Sequence, residues 1–450
     1  MEQIETLINA RWIIPVEPAG VVLEHHALAI RGHQIIDLLP QAEAQRRYQA
    51  QTVHSLTEHA LIPGLINSHT HLGMSLLRGY ADDMPLMRWL TEHIWPAEER
   101  HASTDFVRDG SLLGLAELLR GGVTCVNDMY FFPEITAAAA TQLRMRATVG
   151  APLISFPSAY ARTPEEYVEK GLALHDAYQN HPLIRTAFAP HAPYTVSDSQ
   201  LERVRVLADE LDIPIHMHIH ETADEVERSV AETGMRPLAR LHKLGLLSPA
   251  LIGVHFTQLT EDEIELLAAT GVHAVHCPHS NLKLASGFCP VAALHAAGVN
   301  LAIGTDSAAS NNSLDMFSEL RTTALLAKAV AGDAAAIPAQ TALELATING
   351  ARALGLADQI GSLLPGKDAD ITAVQLDNIE NEPLYDPISQ LVYASSRQQV
   401  SDVWIAGRRL LASRHITSLN IEQLIGKARH WRGKIAESLS ASSDATEVSP

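Results

Sequence analysis

Cysteine is scarce in this chain of 450 residues, which contains three cysteines, at positions 125, 277 and 289. The count is odd, and no two of them stand at the C-x-x-C spacing of many redox and metal sites. A disulfide framework like that of small secreted domains is therefore not expected. The amino-terminal segment also lacks a basic region followed by a long apolar run. These absences predict a reducing, cytoplasmic compartment.

Positive charge and long hydrophobic runs are also deficient. Lys and Arg number 33 against 52 Asp and Glu, which gives a net charge of −19. Nucleic acids and anionic membranes bind basic patches, so neither is expected as a partner. The sequence contains no window of 18 consecutive apolar residues, so a transmembrane helix is not expected. The motif G-x-G-x-x-G is missing as well, which disfavours a dinucleotide-binding doubly wound sheet.

Histidine, in contrast, is abundant, with 23 residues. Because neutral imidazole is the commonest metal ligand in proteins, this surplus raises the expectation of a metal site. It also makes any single histidine motif less informative. The evidence for a metal site therefore has to come from the positions of the histidines along the predicted strands.

Short apolar segments alternate with longer helical patterns from residue 60 onward. Eight strand-and-helix units of this kind are the content of a (β/α)8 barrel of roughly 250 residues. The predicted barrel strands are 60–66, 124–128, 146–151, 184–189, 214–220, 251–256, 272–276 and 300–304.

The two chain ends read as short strands separated by turns. We therefore predict an α/β fold in which a (β/α)8 barrel is joined by a small β-sandwich domain built from both ends. The predicted domains are 1–60 for the first part of the sandwich, 61–360 for a metal-dependent barrel, and 361–450 for the remaining sandwich strands, a terminal helix and a tail.

Histidines cluster at the carboxyl ends of predicted strands, where (β/α)8 barrels carry their active sites. Strand 1 leads into His69 and His71, and strand 5 carries His216, His218 and His220. Residues i and i+2 of an extended strand point to the same side, so each set can face one ion. The alternatives are two solvated histidines in the first case and an internally satisfied polar layer in the second.

Further polar residues stand at or near the ends of other strands. Asp306 ends strand 8, although an aspartate followed by a helix can also be a simple N-cap. Glu221 lies just past strand 5, His255 lies in strand 6 and His191 ends strand 4. Glu98 lies in the insert after strand 1, where a solvated helix charge is the alternative.

These stretches together resemble the amidohydrolase superfamily over most of the chain. Within it, the chain resembles the S-adenosylhomocysteine/5′-methylthioadenosine deaminases and related triazine hydrolases. The matching stretches are 63–71 (Pro-Gly-Leu-Ile-Asn-Ser-His-Thr-His), 218–222, 255, 280–284, 304–307 and 361–370.

The resemblance implies a role for each of these residues. It implies metal binding by His69, His71, His218 and Asp306, catalysis by Glu221, His255 and Asp306, and substrate binding by Glu98, His191, Glu221 and Arg162. Two-metal members of the superfamily use a carboxylated lysine from strand 4, and 185–191 contains no lysine, so one divalent ion is expected. Nitrogen-rich donors favour zinc, with iron and manganese as alternatives.

The expected activity is the hydrolytic deamination of an adenosine-type nucleoside to its inosine analogue and ammonia. Relatives that accept homocysteine use arginines for its carboxylate. Arg162 matches one of them, but no arginine stands near 151–152. The missing arginine favours 5′-methylthioadenosine or adenosine over S-adenosylhomocysteine as the substrate. The expected partners are this nucleoside and water, and the chain is expected to form a homo-oligomer.

The pattern also has rival interpretations. A triazine hydrolase shares nearly every motif, and a guanine or cytosine aminohydrolase is another near rival. A non-enzymatic barrel that had lost its metal is the rival from another class, and the intact ligand set argues against it. A cytidine-deaminase type of zinc site needs Cys-x-x-Cys, which is absent.

Overall fold

The structure, a computed structural model, describes residues 1–446. The strands are β1 (Glu2–Ile13), β2 (Leu23–Arg31), β3 (Gln34–Pro40), β4 (Tyr48–Pro63), β5 (Leu65–Thr70), β6 (Val123–Met129), β7 (Arg146–Leu153), β8 (Ile184–Pro190), β9 (Ile215–Ile219), β10 (Leu251–His255), β11 (His273–His276), β12 (Leu301–Ile303), β13 (Ile371–Gln375), β14 (Val400–Ile405), β15 (Arg408–Ala412) and β16 (His415–Ile416). The α-helices are α1 (Gln41–Arg47), α2 (Leu86–Trp89), α3 (Trp95–His101), α4 (Thr104–Arg120), α5 (Pro133–Leu143), α6 (Pro164–Tyr178), α7 (Asp198–Leu211), α8 (Ala223–Thr233), α9 (Pro237–Lys243), α10 (Glu261–Thr270), α11 (Pro278–Lys283), α12 (Val291–Ala296), α13 (Ala308–Asn311), α14 (Met316–Ala331), α15 (Ala339–Leu345), α16 (Ile348–Ala353), α17 (Pro387–Tyr393) and α18 (Ile421–Thr446). The last four residues of the predicted tail lie outside the described part.

Strands β5 to β12 run parallel in chain order and form the predicted (β/α)8 barrel. The barrel closes where β5, its first strand, meets the segment that follows β12, its last strand. The Asp306 amide donates to the His69 carbonyl at 3.0 Å, and the Asn67 side chain exchanges hydrogen bonds with Thr305. The segments that close the barrel therefore also carry two of the predicted metal ligands.

The second sheet is built from both chain ends, as predicted. Its order is β16-β15-β14-β13-β4-β1-β2-β3. The sheet curls so that the turn after β2 meets the turn after β14. A side chain at Gly407 would lie 2.3 Å from the Gly32 carbonyl oxygen, so only glycine fits there. The curled sheet encloses its own apolar core, which includes Ile8, Leu28 and Trp404.

Seven of the eight predicted barrel strands agree with observed strands to within two residues at either end. The first prediction, 60–66, is wrong. Its apolar run covers the end of β4 in the second sheet and the start of β5 in the barrel. The chain passes from one sheet to the other at Gly64, where a Cβ atom would lie 2.1 Å from the Thr124 side chain. Residues on both sides of Gly64 are buried and apolar, so the pattern does not reveal the change of sheet.

The insert after β5 covers the carboxyl end of the barrel. It contains a 3-10 helix (Leu72–Leu77), α2, a π-helical turn (Leu90–Ile94) and α3. Helix α18 packs against α4, the helix that follows the insert. Trp431 packs edge-on against Phe106 at 5.3 Å, and its indole N–H donates to buried Asp109 at 3.0 Å. Farther along α18, Ser438 lies 3.0 Å from Nε2 of His101, the last residue of α3, so the carboxyl-terminal helix also contacts the insert that carries Glu98.

Within the described residues, no helix has both the length and the apolar content needed to cross a membrane.

A buried ion pair joins the two sheets. Arg146, at the start of β7, donates to Asp368 at 2.8 Å and to Asp370 at 3.1 Å, both from the segment that enters β13. Arg146 and Asp370 are 2% and 3% exposed. Charges removed from water in this way need their partners, because an unpaired buried charge is costly.

Replacement of Arg146 by Met should therefore destabilise the protein strongly. It leaves buried Asp370 without its counter-ion, and we expect the free energy of unfolding to fall by about 3–5 kcal/mol in chemical denaturation. The matched control is Arg205→Met, which removes an exposed ion pair with Asp209 and should cost less than about 1 kcal/mol. An equal loss of unfolding free energy in the two variants would contradict the stabilising role of the buried ion pair between the sheets.

Candidate metal centre and active site

Four predicted ligands converge at the carboxyl end of the barrel. The Nε2 atom of His218 lies 3.3 Å from the Nε2 atoms of both His69 and His71. The Oδ1 atom of Asp306 lies 3.3 Å from Nε2 of His69 and 3.2 Å from Nε2 of His71. Strands β5 and β9 and the end of β12 thus deliver four donor atoms to one point.

The far nitrogen of two of these imidazoles faces a backbone carbonyl. His71 Nδ1 donates to the Met129 carbonyl, and His218 Nδ1 donates to the His191 carbonyl at 2.8 Å. A carbonyl oxygen only accepts hydrogen bonds, so each Nδ1 carries the proton. The Nε2 atom of each neutral ring then presents a lone pair toward the centre.

Neighbouring hydroxyl groups hold the Asp306 carboxylate in place. Ser280 and Ser310 donate to its Oδ2 at 2.6 and 3.0 Å, and the Ser307 amide donates to its Oδ1 at 2.7 Å. Despite burial, the adjacent imidazoles of His69 and His71 hold the pKa of Asp306 well below its usual range. The carboxylate is therefore a fixed negative charge beside the imidazoles.

This donor set fits one divalent cation. Imidazole lone pairs that face each other at 3.3 Å repel unless positive charge lies between them. Two nitrogens bound to one zinc at about 2.0–2.1 Å lie roughly 3.3 Å apart when the angle between them is near tetrahedral. Burial lowers the pKa of His69 to about 4, which keeps that ring neutral and able to bind metal. The residues present can thus hold a zinc-like ion.

Beside this centre, His255 and Glu221 face each other. The Nε2 atom of His255 lies 3.8 Å from a Glu221 carboxylate oxygen, and its Nδ1 is 2.8 Å from Oδ1 of Asn281. The Asn281 carbonyl group accepts the Nδ1 proton, so Nε2 of His255 can accept a proton from a bound molecule. Burial raises the pKa of Glu221, which favours a carboxyl group that can donate a proton.

The turn after β9 positions Glu221. His220 has a φ of +55°, a left-handed conformation that is strained for a residue with a side chain. The Glu225 carboxylate accepts from the amides of His220 and Glu221 at 3.1 and 2.7 Å. His220 itself does not face the metal centre, contrary to the pattern of alternate histidines. Beyond the end of β9, its Nε2 accepts from the Leu238 amide at 3.2 Å.

A cavity of about 740 Å³ opens above these groups. Eight of the nine predicted site residues line it, and His69 lies buried beneath them. Burial raises the pKa of Glu98 to about 7 and lowers that of His191 to about 4. Arg162 lies at the exposed rim, and among the described lining residues it is the only Lys or Arg.

Several side chains that support the site were given no role by the sequence analysis. They are Glu225, Asn281 and Ser310. The spacing of four residues between Glu221 and Glu225 offered a signal, because a helix start places such residues together. Asn281 contacts His255 across two strand ends, which no local pattern reveals, whereas Ser310 donates to Asp306 only four residues earlier.

The sequence matches the model of the family described as "Amidohydrolase family" over residues 60–410. Two curated relatives are named 5-methylthioadenosine/S-adenosylhomocysteine deaminase. The one from Teredinibacter turnerae is 51% identical over 96% of this chain and 98% of its own. The one from Saccharophagus degradans is 48% identical over 96% of this chain and 97% of its own.

Solved structures agree with these relatives. A crystal structure of an adenosine deaminase from Xanthomonas campestris with bound zinc has a TM-score of 0.96 and 55% identity, covering 97% of this chain and 99% of the other. An atrazine chlorohydrolase from Arthrobacter aurescens, complexed with zinc, has a TM-score of 0.88 at 23% identity, covering 95% of this chain and 99% of its own. The second likeness concerns the fold alone.

Replacement of Glu225 by Gln should disturb the turn that holds Glu221. Burial raises the pKa of Glu225 to about 8, but both of its oxygens can accept N–H groups in either protonation state. An amide offers one oxygen and places a donor against the second N–H. We expect the free energy of unfolding to fall by about 1–3 kcal/mol in denaturation experiments. Glu232→Gln, an exposed change on the same helix, is the control. A similar loss in that control would count against the role of Glu225.

Proposed function

This chain belongs to the amidohydrolase family, and we propose that it is a zinc-dependent deaminase of 5′-methylthioadenosine and adenosine. It is a hydrolase of C–N bonds and acts on an adenosine-type substrate. The finer substrate preference and the dependence on metal are the proposal. The observation that carries it is the convergence of four metal donors and one buried carboxyl group, Glu221, on a single cavity.

The proposed ligands are His69, His71, His218 and Asp306, and the zinc-bound relative from Xanthomonas campestris supports the choice of metal. A divalent ion held by these donors would lower the pKa of water toward about 7 and so supply the nucleophile at neutral pH. The remaining work falls to side chains of this chain, which move protons and orient the reactants.

Glu221 is the proposed proton donor to the ring nitrogen beside the amino-bearing carbon. Protonation there makes that carbon electrophilic, and burial of Glu221 favours its protonated form. His255 Nε2 accepts a hydrogen bond from the attacking water, because its Nδ1 proton is already donated to Asn281. Asp306 takes up the proton that water releases and returns it to the departing amino group, so that ammonia leaves. The hydroxyl group left on the carbon then gives its proton to the Glu221 carboxylate, which restores the acid and leaves the carbonyl group of the product.

Two residues of the cavity wall are proposed to bind the nucleoside. Glu98 is half-buried in the insert and presents a carboxyl group for the ribose hydroxyls. His191 precedes the loop after β8, and its Nδ1 bonds to Thr195 at 3.1 Å, which leaves Nε2 for the base. Relatives that share the deaminase name support a nucleoside here.

The 5′ end of the substrate would meet an apolar surface with one cation. On the cavity wall, the rings of Trp95 and Phe156 meet edge to face, with their centroids 6.2 Å apart. The Arg162 guanidinium makes no hydrogen bond or ion pair within the described part of the chain, and it is solvent-exposed. A single exposed cation binds a carboxylate weakly, so we infer that S-adenosylhomocysteine is the poorer substrate.

The triazine hydrolase alternative is supported only by a shared fold at 23% identity. Guanine and cytosine deamination have no specific observation in their favour. A cytoplasmic location and a homo-oligomer remain predictions from the sequence. The three cysteines are free and buried, which is compatible with a reducing compartment.

Replacement of Glu221 by Gln should abolish most turnover without loss of metal. The amide cannot donate a proton to the ring, and we expect kcat to fall by about 10²–10⁴-fold. Metal analysis should still find one ion per chain, because Glu221 is not one of the proposed ligands. Glu227→Gln, an exposed change on α8, serves as the control. Native turnover in the Glu221 variant would refute the assigned role.

A panel of substrates tests the preference directly. Ammonia release by the zinc-loaded protein should give a higher kcat/KM for 5′-methylthioadenosine and adenosine than for S-adenosylhomocysteine. Arg162→Met should lower kcat/KM for S-adenosylhomocysteine by about two- to five-fold, the effect of one exposed ion pair, and change the value for 5′-methylthioadenosine less. A protein that prefers S-adenosylhomocysteine, or that releases ammonia only from guanine, cytosine or a triazine, would contradict the proposal.

A further inference from the structure

His216 lies beneath the metal centre, and the proposed reaction gives it no role. It stands on β9, two residues before His218, and is fully buried. Its Nε2 atom is 2.9 Å from Nδ1 of His69, and the two rings meet edge to face with centroids 4.9 Å apart. The geometry is that of a direct hydrogen bond between two imidazoles.

This hydrogen bond contains one proton, which can belong to either ring. If it belongs to His69 Nδ1, then Nε2 of His69 has a lone pair and can bind a cation. If it belongs to His216 Nε2, then a neutral His69 carries its own proton on Nε2, where it faces Asp306. In that second arrangement His69 cannot be a ligand.

His69 differs in this respect from the two other histidine ligands. His71 and His218 each face a backbone carbonyl, which can only accept, so their binding tautomer is fixed by the main chain. The partner of His69 can both donate and accept. The other nitrogen of His216, Nδ1, is buried without a hydrogen-bond partner among the described residues. No contact on that far side therefore fixes the direction of the bond.

We propose that His216 is a positioning residue that accepts the Nδ1 proton of His69 and so holds His69 in its metal-binding tautomer. The inference rests on the metal centre of the proposed function. A cation excludes a proton from Nε2 of His69, and the ring must then carry its proton on Nδ1. Without an acceptor at position 216, that N–H would be buried and unpaired, and the cost would be subtracted from the affinity for the metal.

The test compares side chains that differ in reach at position 216. The carbonyl oxygen of Gln can take the place of imidazole Nε2, whereas the shorter Asn cannot reach His69. Phe fills the volume and offers no acceptor. Zinc affinity is measured on the full-length protein by competition with a chromophoric chelator. We expect His216→Asn and His216→Phe to weaken zinc binding by about 10- to 100-fold. His216→Gln should stay close to the unmodified protein.

The matched control is His276→Phe. His276 is a buried histidine on β11, two strands away from β9, and its two nitrogens have no partner among the described residues. It should leave zinc affinity unchanged. Equal affinity in the Asn and Gln variants of position 216 would overturn the proposal, because the acceptor would then not matter. If the unmodified protein does not bind zinc, both the proposed metal centre and the proposed role of His216 are overturned. If the Phe variant does not fold, the Asn and Gln pair still decides.

Discussion

The site depends on three neutral imidazoles that present their lone pairs at one point. Each ring can do so only if its other nitrogen keeps the proton, and each of those nitrogens has a buried partner: the Met129 carbonyl, the His191 carbonyl or the ring of His216. Burial lowers the pKa of His69 and His218 and keeps those two rings uncharged. Despite its burial, His71 has a pKa raised to about 9 by the Asp306 carboxylate, so a bound cation has to displace its second proton. Asp306 then supplies the one fixed negative charge. In the proposed metal centre, affinity would therefore depend as much on the partners of the ligands as on the ligands themselves.

The barrel makes this arrangement rigid, and backbone strain is part of the construction. His220, His255 and Asp306 have φ values of +55°, +81° and +58°. Such conformations cost about 1–3 kcal/mol each and persist only where the surrounding structure fixes them. Here Glu225 holds the first turn, and Asp306 donates its amide to the strand that closes the ring. Stability elsewhere, including the buried Arg146 pair between the sheets, has to offset this strain.

The sequence predicted the strand ends well, because apolar runs terminate in polar residues and alternate positions share a face. His69, His71 and His218 follow from that rule. The transition between sheets at Gly64 did not follow, since both flanks are apolar and buried. The role of Asn281 depends on contact between the ends of β10 and β11, and no local spacing encodes it. The tautomer of His69 depends on a residue 147 positions away. Local pattern thus points to the histidines at the strand ends, the family resemblance selects the proposed ligands among them, and tertiary packing decides how they are oriented.

The insert over the barrel explains how one cavity can combine a polar floor with an apolar wall. On α3, Trp95 and Glu98 are three residues apart and therefore lie on the same helical face. A ribose held by Glu98, as proposed, would direct its 5′ substituent along that face toward Trp95 and Phe156. Such a wall favours a small thioether or a short hydroxyl over a charged amino-acid tail, because the exposed Arg162 compensates a charge there only weakly. The geometry of one short helix would thus set both the orientation of the nucleoside and the chemistry tolerated at its far end.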